Sequence, residues 1–141
     1  KTMIQAIDGS VGMPVVFPVH PRTRKNFDLL NYTPQFVTPT DSLSYLEFIY
    51  LIKNAKGVIT DSGGIQEETT VLGVPCLTLR NNTERPETVN VGTNEMIGED
   101  TVALKKALEN LKAGKWKKGG IPELWDGRAA ERIINILKTL K

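Results

Sequence analysis

The chain has 141 residues, 40% of them hydrophobic and 24% charged, which suits one globular domain with a single core. Its 18 basic and 16 acidic side chains leave a formal net charge of +2, too weak a field to argue for nucleic acid or a membrane surface as partner. A single cysteine, Cys76, excludes a disulfide framework and a thiolate metal site, and no run approaches the roughly 20 apolar residues of a membrane span; the reading is a soluble, cytoplasmic domain without metal or cofactor.

In chain order, Met3, Ile4 and Ile7 have the spacing of the end of an amphipathic helix, with no strand ahead of them. A βα domain normally begins with that strand. In a doubly wound sheet it lies near the centre, so its absence predicts a gap between the neighbours on either side and marks the chain as a piece of a longer one. Residues 15–19 and 35–38 read as strands. Leu43, Leu46, Ile49, Tyr50 and Lys53 then recur at three- and four-residue steps, predicting a helix with Asp41 or Ser42 available to cap it. A strand over 57–60 leads into a helix over 64–72, ended by Gly73 and kept from continuing by Pro75. Strands follow over 76–79 and 95–97, then a helix over 101–111, a lysine- and glycine-rich solvated loop over 112–120, and a terminal helix over 127–140 with Ala130, Ile133, Ile134 and Leu137 in one apolar stripe. The alternation predicts an α/β, Rossmann-like parallel sheet flanked by helices.

The densest chemical signal is Thr60-Asp61-Ser62-Gly63-Gly64-Ile65-Gln66-Glu67-Glu68, placed between a predicted strand and a predicted helix. Ligands of open α/β sheets gather at the carboxyl ends of strands, and the first amides of a following helix carry positive partial charge. Gly63 and Gly64 have no Cβ to hold a phosphate oxygen away from the backbone, and Ser62 adds a hydroxyl donor. A diphosphate fits that arrangement. Glu67 or Glu68, one turn on, suits the paired hydroxyls of a ribose. The competing reading is purely structural: Asp61 or Ser62 caps the helix and the glycines make a tight turn.

On the same rim, Arg80-Asn81-Asn82-Thr83-Glu84-Arg85-Pro86-Glu87 brings two guanidiniums and several amides together. Arg85, with the backbone after it fixed by Pro86 and a guanidinium able to form a two-pronged bond, is the better candidate for a phosphate or sugar contact. As a polar surface loop the same residues would form exposed ion pairs worth about 0 to 1 kcal/mol each. The only histidine, His20, closes the first strand between Pro18 and Pro21, near Arg22 and Arg24. It is a candidate for a phosphate contact, and less so for proton transfer.

The series Pro18-Val19-His20-Pro21, the block over 60–68, Gly73-Val74-Pro75, and Thr83-Glu84-Arg85-Pro86-Glu87 resembles, in order and spacing, the C-terminal half of non-hydrolysing UDP-N-acetylglucosamine 2-epimerases. Trp125-Asp126-Gly127-Arg128 and the helix after it look like that family's closing segment. The resemblance implies one of two Rossmann-like domains facing across a cleft, in a glycosyltransferase-B-like architecture, with this chain as the UDP-binding domain over residues 1–141. It further implies diphosphate contacts at Ser62 and Gly63, with Gly64 in the same substrate-binding turn, ribose contact at Glu68, and Arg85 facing the active site as the only catalytic candidate. Phe48 would lie near the uracil, and His20 beside a second, activating sugar nucleotide.

The family's reaction inverts carbon 2 of the sugar by eliminating UDP to a glycal and re-adding it after reprotonation on the other face. Its catalytic carboxylates, and the His-Arg motif after the first strand of the C-terminal domain, have no counterpart in this sequence, which implies that the chain alone is inactive. The resemblance also implies a cytoplasmic, homodimeric parent enzyme serving cell-envelope polysaccharide synthesis, with a UDP-sugar as partner. Two other classes stay open at this point. One is a UDP-sugar glycosyltransferase of like architecture, against which the 83–87 block argues; the other is a non-catalytic nucleotide-binding or interaction module.

Overall fold

A computed structural model describes residues 1–140. Its elements run α1 (Thr2–Val11), β1 (Val15–Pro18), α2 (Pro21–Asp28), β2 (Val37–Thr40), α3 (Tyr45–Asn54), β3 (Val58–Thr60), α4 (Gly63–Leu72), β4 (Cys76–Thr78), α5 (Pro86–Asn90), β5 (Asn94–Met96), α6 (Thr101–Lys112) and α7 (Ala129–Thr139). The strand pairings among them are all parallel, which is the predicted α/β class. They form two sheets, β1–β2 and β3–β4–β5. β1 and β3 each pair on one edge only, the division expected of a doubly wound sheet without its central strand.

The core lies on one face of the β3–β4–β5 sheet. Leu77 of β4 meets Leu104, Ala107, Leu108 and Leu111 of α6 and Ala6 of α1, with Met3, Ile7, Ile59 and Trp116 at the margin. The three- and four-residue steps along α6 supply its apolar stripe, and Asp100 starts the helix by accepting from the amides of Val102 and Ala103. Because side chains alternate along a strand, Cys76 and Thr78 point the other way, toward α4. That second face is built from polar groups: Gln66, Thr69, Thr70, Thr78, Thr88, Thr93 and Asn94 are all buried.

α1 also reaches the other sheet. The Asp8 carboxylate accepts from the Tyr32 hydroxyl (2.6 Å) and from the amides of Gln35 (3.0 Å), Phe36 (2.7 Å) and Val37 (3.1 Å). The second strand lies two residues beyond its predicted place, at Val37–Thr40, and Asp8 ties down the segment that enters it, through the amides of Gln35, Phe36 and Val37. Pro39 is tolerated there because β2 is an edge strand. Gly73 ends α4 in the left-handed conformation (φ 68°), as the sequence predicts. α2 and α5 are additions to the sequence reading. Both begin with a proline at the first helical turn, where a missing N–H leaves no bond unmade.

The apolar stripe of α7 is exposed, including Ile133, Ile134 and Leu137. The helix is tied to the preceding turn through its polar side instead, with Arg132 donating to both Asp126 carboxylate oxygens (3.0 Å each) and to the Leu124 carbonyl (2.8 Å).

Candidate functional site

β3 and α4 are joined by Asp61-Ser62, so α4 opens at the carboxyl end of its strand. Ser62 stands at the N-cap, yet its side chain makes no capping bond. The amides of Gly63, Gly64 and Ile65 find no acceptor among the described residues, and the first backbone bond of the turn runs from Gln66 to Ser62 (3.3 Å). Of the other helices, α2, α3 and α6 carry side-chain caps, with Ser44 and Glu47 forming a reciprocal capping box on α3 and Asp100 taking two amides on α6, whereas among the described residues α1, α5 and α7 start without one. The structural reading of Ser62 as a helix cap is therefore not what its hydroxyl does, and the same holds for Asp61. Three amides and a free hydroxyl converge on solvent at the positive end of a helix, which is the chemistry of an anion site.

The glycines have no steric role in this fold. A Cβ built on Gly63 meets nothing within 4 Å, and one on Gly64 meets only the Ser62 Oγ, at 4.0 Å. Neither has a positive φ. The tight-turn explanation for the pair therefore has no support in the backbone geometry; what the missing Cβ atoms leave is open approach to the amides.

Arg85 stands over the same helix. Its Nε donates to the Glu67 carboxylate and its Nη1 to the Glu84 carbonyl (3.2 Å), leaving Nη2 without a protein acceptor among the described residues. Glu67 is thereby engaged as the partner of Arg85, and of the two adjacent carboxylates only Glu68 has no hydrogen bond or ion pair among the described residues. Arg80 forms no such pair either.

Glu67 and Glu68 border an open cleft of about 410 Å³ between α3 and α4, lined also by Tyr45, Ile49, Val71, Leu72 and Trp125. An apolar cleft with a carboxylate at its rim suits a flat ring carrying a hydroxylated sugar. Phe48, half-buried on α3, is not among the lining side chains; Tyr45 and Ile49 from that helix are. Of these side chains Ile49 was in the helical spacing read from the sequence, whereas the approach of Trp125, more than 50 residues away, was not legible.

His20 lies apart from this cluster, at the carboxyl end of β1. It caps α2, its Nδ1 accepting from the Arg22 amide (3.2 Å). That bond assigns the ring proton to Nε2, which points away from the cap. Arg24 is engaged with Asp28 (3.5 Å) and Asp41 (3.8 Å). Among the described residues no group of three or more His, Cys, Asp or Glu is arranged to hold a metal ion, and no helix is long and apolar enough to cross a membrane.

Proteins of known function share this sequence and fold. The chain is 44% identical over 131 residues to a UDP-N-acetylglucosamine 2-epimerase of Methanocaldococcus jannaschii, covering 87% of this chain and 34% of that protein. Against the enzyme of the same name from Escherichia coli K12 it is 35% identical over 130 residues, covering 88% of this chain and 35% of the relative. The crystal structure of the M. jannaschii enzyme in complex with UDP-GlcNAc and UDP superposes with a TM-score of 0.79 at 39% identity, over 97% of this chain and 40% of that one. The Neisseria meningitidis enzyme bound to UDP-GlcNAc gives 0.78 at 30% identity, over 99% and 41%. The chain thus spans between a third and two fifths of the length of these relatives. A sequence profile of UDP-N-acetylglucosamine 2-epimerases matches residues 1–138, and with the glycine-rich helix start and the Arg85 loop on one rim of a parallel sheet, the chain belongs to that family.

Proposed function

We propose that this chain is the UDP-binding, C-terminal domain of an enzyme that interconverts UDP-N-acetylglucosamine and its manno epimer by eliminating and re-adding UDP. Ser62, Gly63 and Gly64 hold the diphosphate, Glu68 the ribose hydroxyls, and Arg85 the charge that develops on the leaving group; Phe48 lies close to the uracil. The observation that carries this reading is the uncapped start of α4, where three amides and the Ser62 hydroxyl lack partners among the described residues while Arg85 stands over the same helix. Breaking the bond between sugar carbon 1 and the diphosphate puts negative charge on the phosphate oxygens. Preorganised donors aimed at that charge lower the barrier without rearranging at the moment of reaction.

The proton transfers at carbon 2 belong, in this reading, to the part of the parent enzyme outside this chain, so the chain alone does not turn over. His20, with Nε2 unused by the cap, is proposed for contact with an activating second nucleotide sugar. The parent is proposed to be a cytoplasmic homodimer supplying cell-envelope polysaccharide synthesis.

Isothermal calorimetry with UDP tests the assignment. Glu68→Ala is expected to weaken binding by about tenfold, the order of one lost charge-assisted hydrogen bond. Equal affinity in the variant removes Glu68 from the site.

A further inference from the structure

Under α4 lies a chain of buried polar contacts that the nucleotide reading does not use. The Thr83 hydroxyl accepts from the Arg85 amide (3.0 Å) and donates to Gln66 Oε1 (2.7 Å). The hydroxyl receives the Arg85 N–H on a lone pair and gives its own proton to the amide oxygen. Gln66 Oε1 also accepts from Asn94 Nδ2 (3.2 Å), and the Asn94 oxygen accepts from Thr78 of β4 (2.6 Å). Asn94 Nδ2 reaches Thr88 Oγ1 (3.1 Å), whose hydroxyl in turn donates to the Arg85 carbonyl (2.7 Å). Both the N–H and the C=O of Arg85 are therefore held, and both restraints lead back to Gln66 and Asn94, two fully buried side chains.

Gln66 is retained there at a cost. Its Nε2 is buried and has no hydrogen-bond partner among the described residues, whereas its oxygen serves two donors. A group that only filled space would be apolar, since an unpaired buried donor is unfavourable. The amide oxygen is what the site requires.

We infer that Thr83 is a positioning residue for Arg85, anchored by Gln66, so that the helix presenting the anion site also sets the guanidinium above it. The inference rests on the nucleotide reading given above. Gln66 lies on the inward side of α4, while its neighbour Glu67 holds the Arg85 side chain from the same turn. One rigid turn thus fixes the backbone and the guanidinium of Arg85 together, and an arginine with both ends fixed loses little freedom on meeting a phosphate.

The test is a double-mutant cycle read by UDP calorimetry on this chain. Thr83→Val keeps the shape and removes both bonds; Thr83→Ser restores the hydroxyl. Expected are a drop of about tenfold in UDP affinity for T83V, an affinity within about twofold of wild type for T83S, and no further loss when T83V is added to Arg85→Ala. Wild-type binding by T83V, or the same drop in the R85A background, overturns the inference. Absence of UDP binding by the wild-type chain instead refutes the nucleotide reading, a separate outcome. Should T83V lose its fold, hydrogen exchange of the Arg85 amide in the unbound wild-type chain decides: protection supports the Thr83 restraint, and exchange at the rate of a free amide overturns it.

Discussion

Replacing Gly63 by alanine separates the two explanations of the glycine pair. If the glycine served the turn, a Cβ would strain the backbone and lower stability. The structure predicts the reverse, because the Cβ meets nothing within 4 Å and φ is ordinary. Alanine is favoured over glycine by about 0.8–1.0 kcal/mol inside a helix, and by less in the first turn where Gly63 sits. A gain of up to about 1 kcal/mol corresponds to a thermal midpoint unchanged or raised by roughly 3 °C for a domain of this size. Binding should move the other way. A phosphate oxygen accepting from first-turn amides must come to within about 2.9 Å of nitrogen, and a methyl group beside that path holds it off. Weakening one or two charge-assisted bonds, each worth about 1.5–3 kcal/mol, lowers UDP affinity by roughly ten- to a hundredfold. Differential scanning calorimetry and titration calorimetry on the same preparation give both numbers. An affinity within twofold of wild type, or a clear loss of stability, refutes the argument that this glycine is kept for ligand approach.

Other expectations follow from the same geometry. The hydrogen bond from Tyr32 and three backbone amides hold the Asp8 carboxyl down at about 2, from an ordinary 3.8. A depressed folded value means that its stabilisation is complete above about pH 4 and is lost as pH falls toward 2. Urea unfolding of Asp8→Asn should accordingly show lower stability at neutral pH but a shallower further loss between pH 4 and 2 than wild type, and parallel curves would remove Asp8 as the acid-sensitive group. Burial pushes the Cys76 thiol up, so a thiol reagent should label it slowly in the native chain and rapidly in denaturant. Purified chain mixed with UDP-N-acetylglucosamine should yield no manno epimer by proton NMR; measurable turnover would place the proton-transfer groups within residues 1–141.

Much of the fold was legible because it follows from local rules. β-branched runs marked the strands, and the apolar steps of α3 and α6 and the C-capping Gly73 marked the helices. α2 was not read as a helix because Pro21-Arg22-Thr23-Arg24-Lys25-Asn26 has no apolar spacing; the signal that was there is a proline directly after the capping His20. The same arrangement, Arg85 before Pro86, marks α5. The tie that holds the start of β2 had no local signal, since Asp8 lies 29 residues before Val37. At the site, the glycine-rich block and Arg85 were readable as anion chemistry, but Gln66, within that block, carried no signal of its role. Its partners lie 17 and 28 positions along the chain, and only the pairing of β4 with β5 brings Asn94 beneath it.

The β3–β4–β5 sheet has an apolar face and a polar one, and two adjacent residues of β4 make the division concrete. Leu77 points into the apolar layer formed with α1 and α6, where its truncation to alanine is expected to cost about 2–5 kcal/mol as a cavity opens. Thr78 points the other way and donates to Asn94, the start of the chain of contacts that ends on the Arg85 backbone. Leu77→Ala should therefore lower the denaturation midpoint while leaving UDP affinity of the folded fraction near wild type. Thr78→Val, close in volume, should lower UDP affinity of the folded fraction and also cost about 1–3 kcal/mol of stability, because the buried Asn94 oxygen loses the donor that orients its amide and the loss is felt at Arg85. If both substitutions instead changed stability and affinity in proportion, the two faces would be one cooperative unit, and the polar layer would be packing that happens to lie under the site.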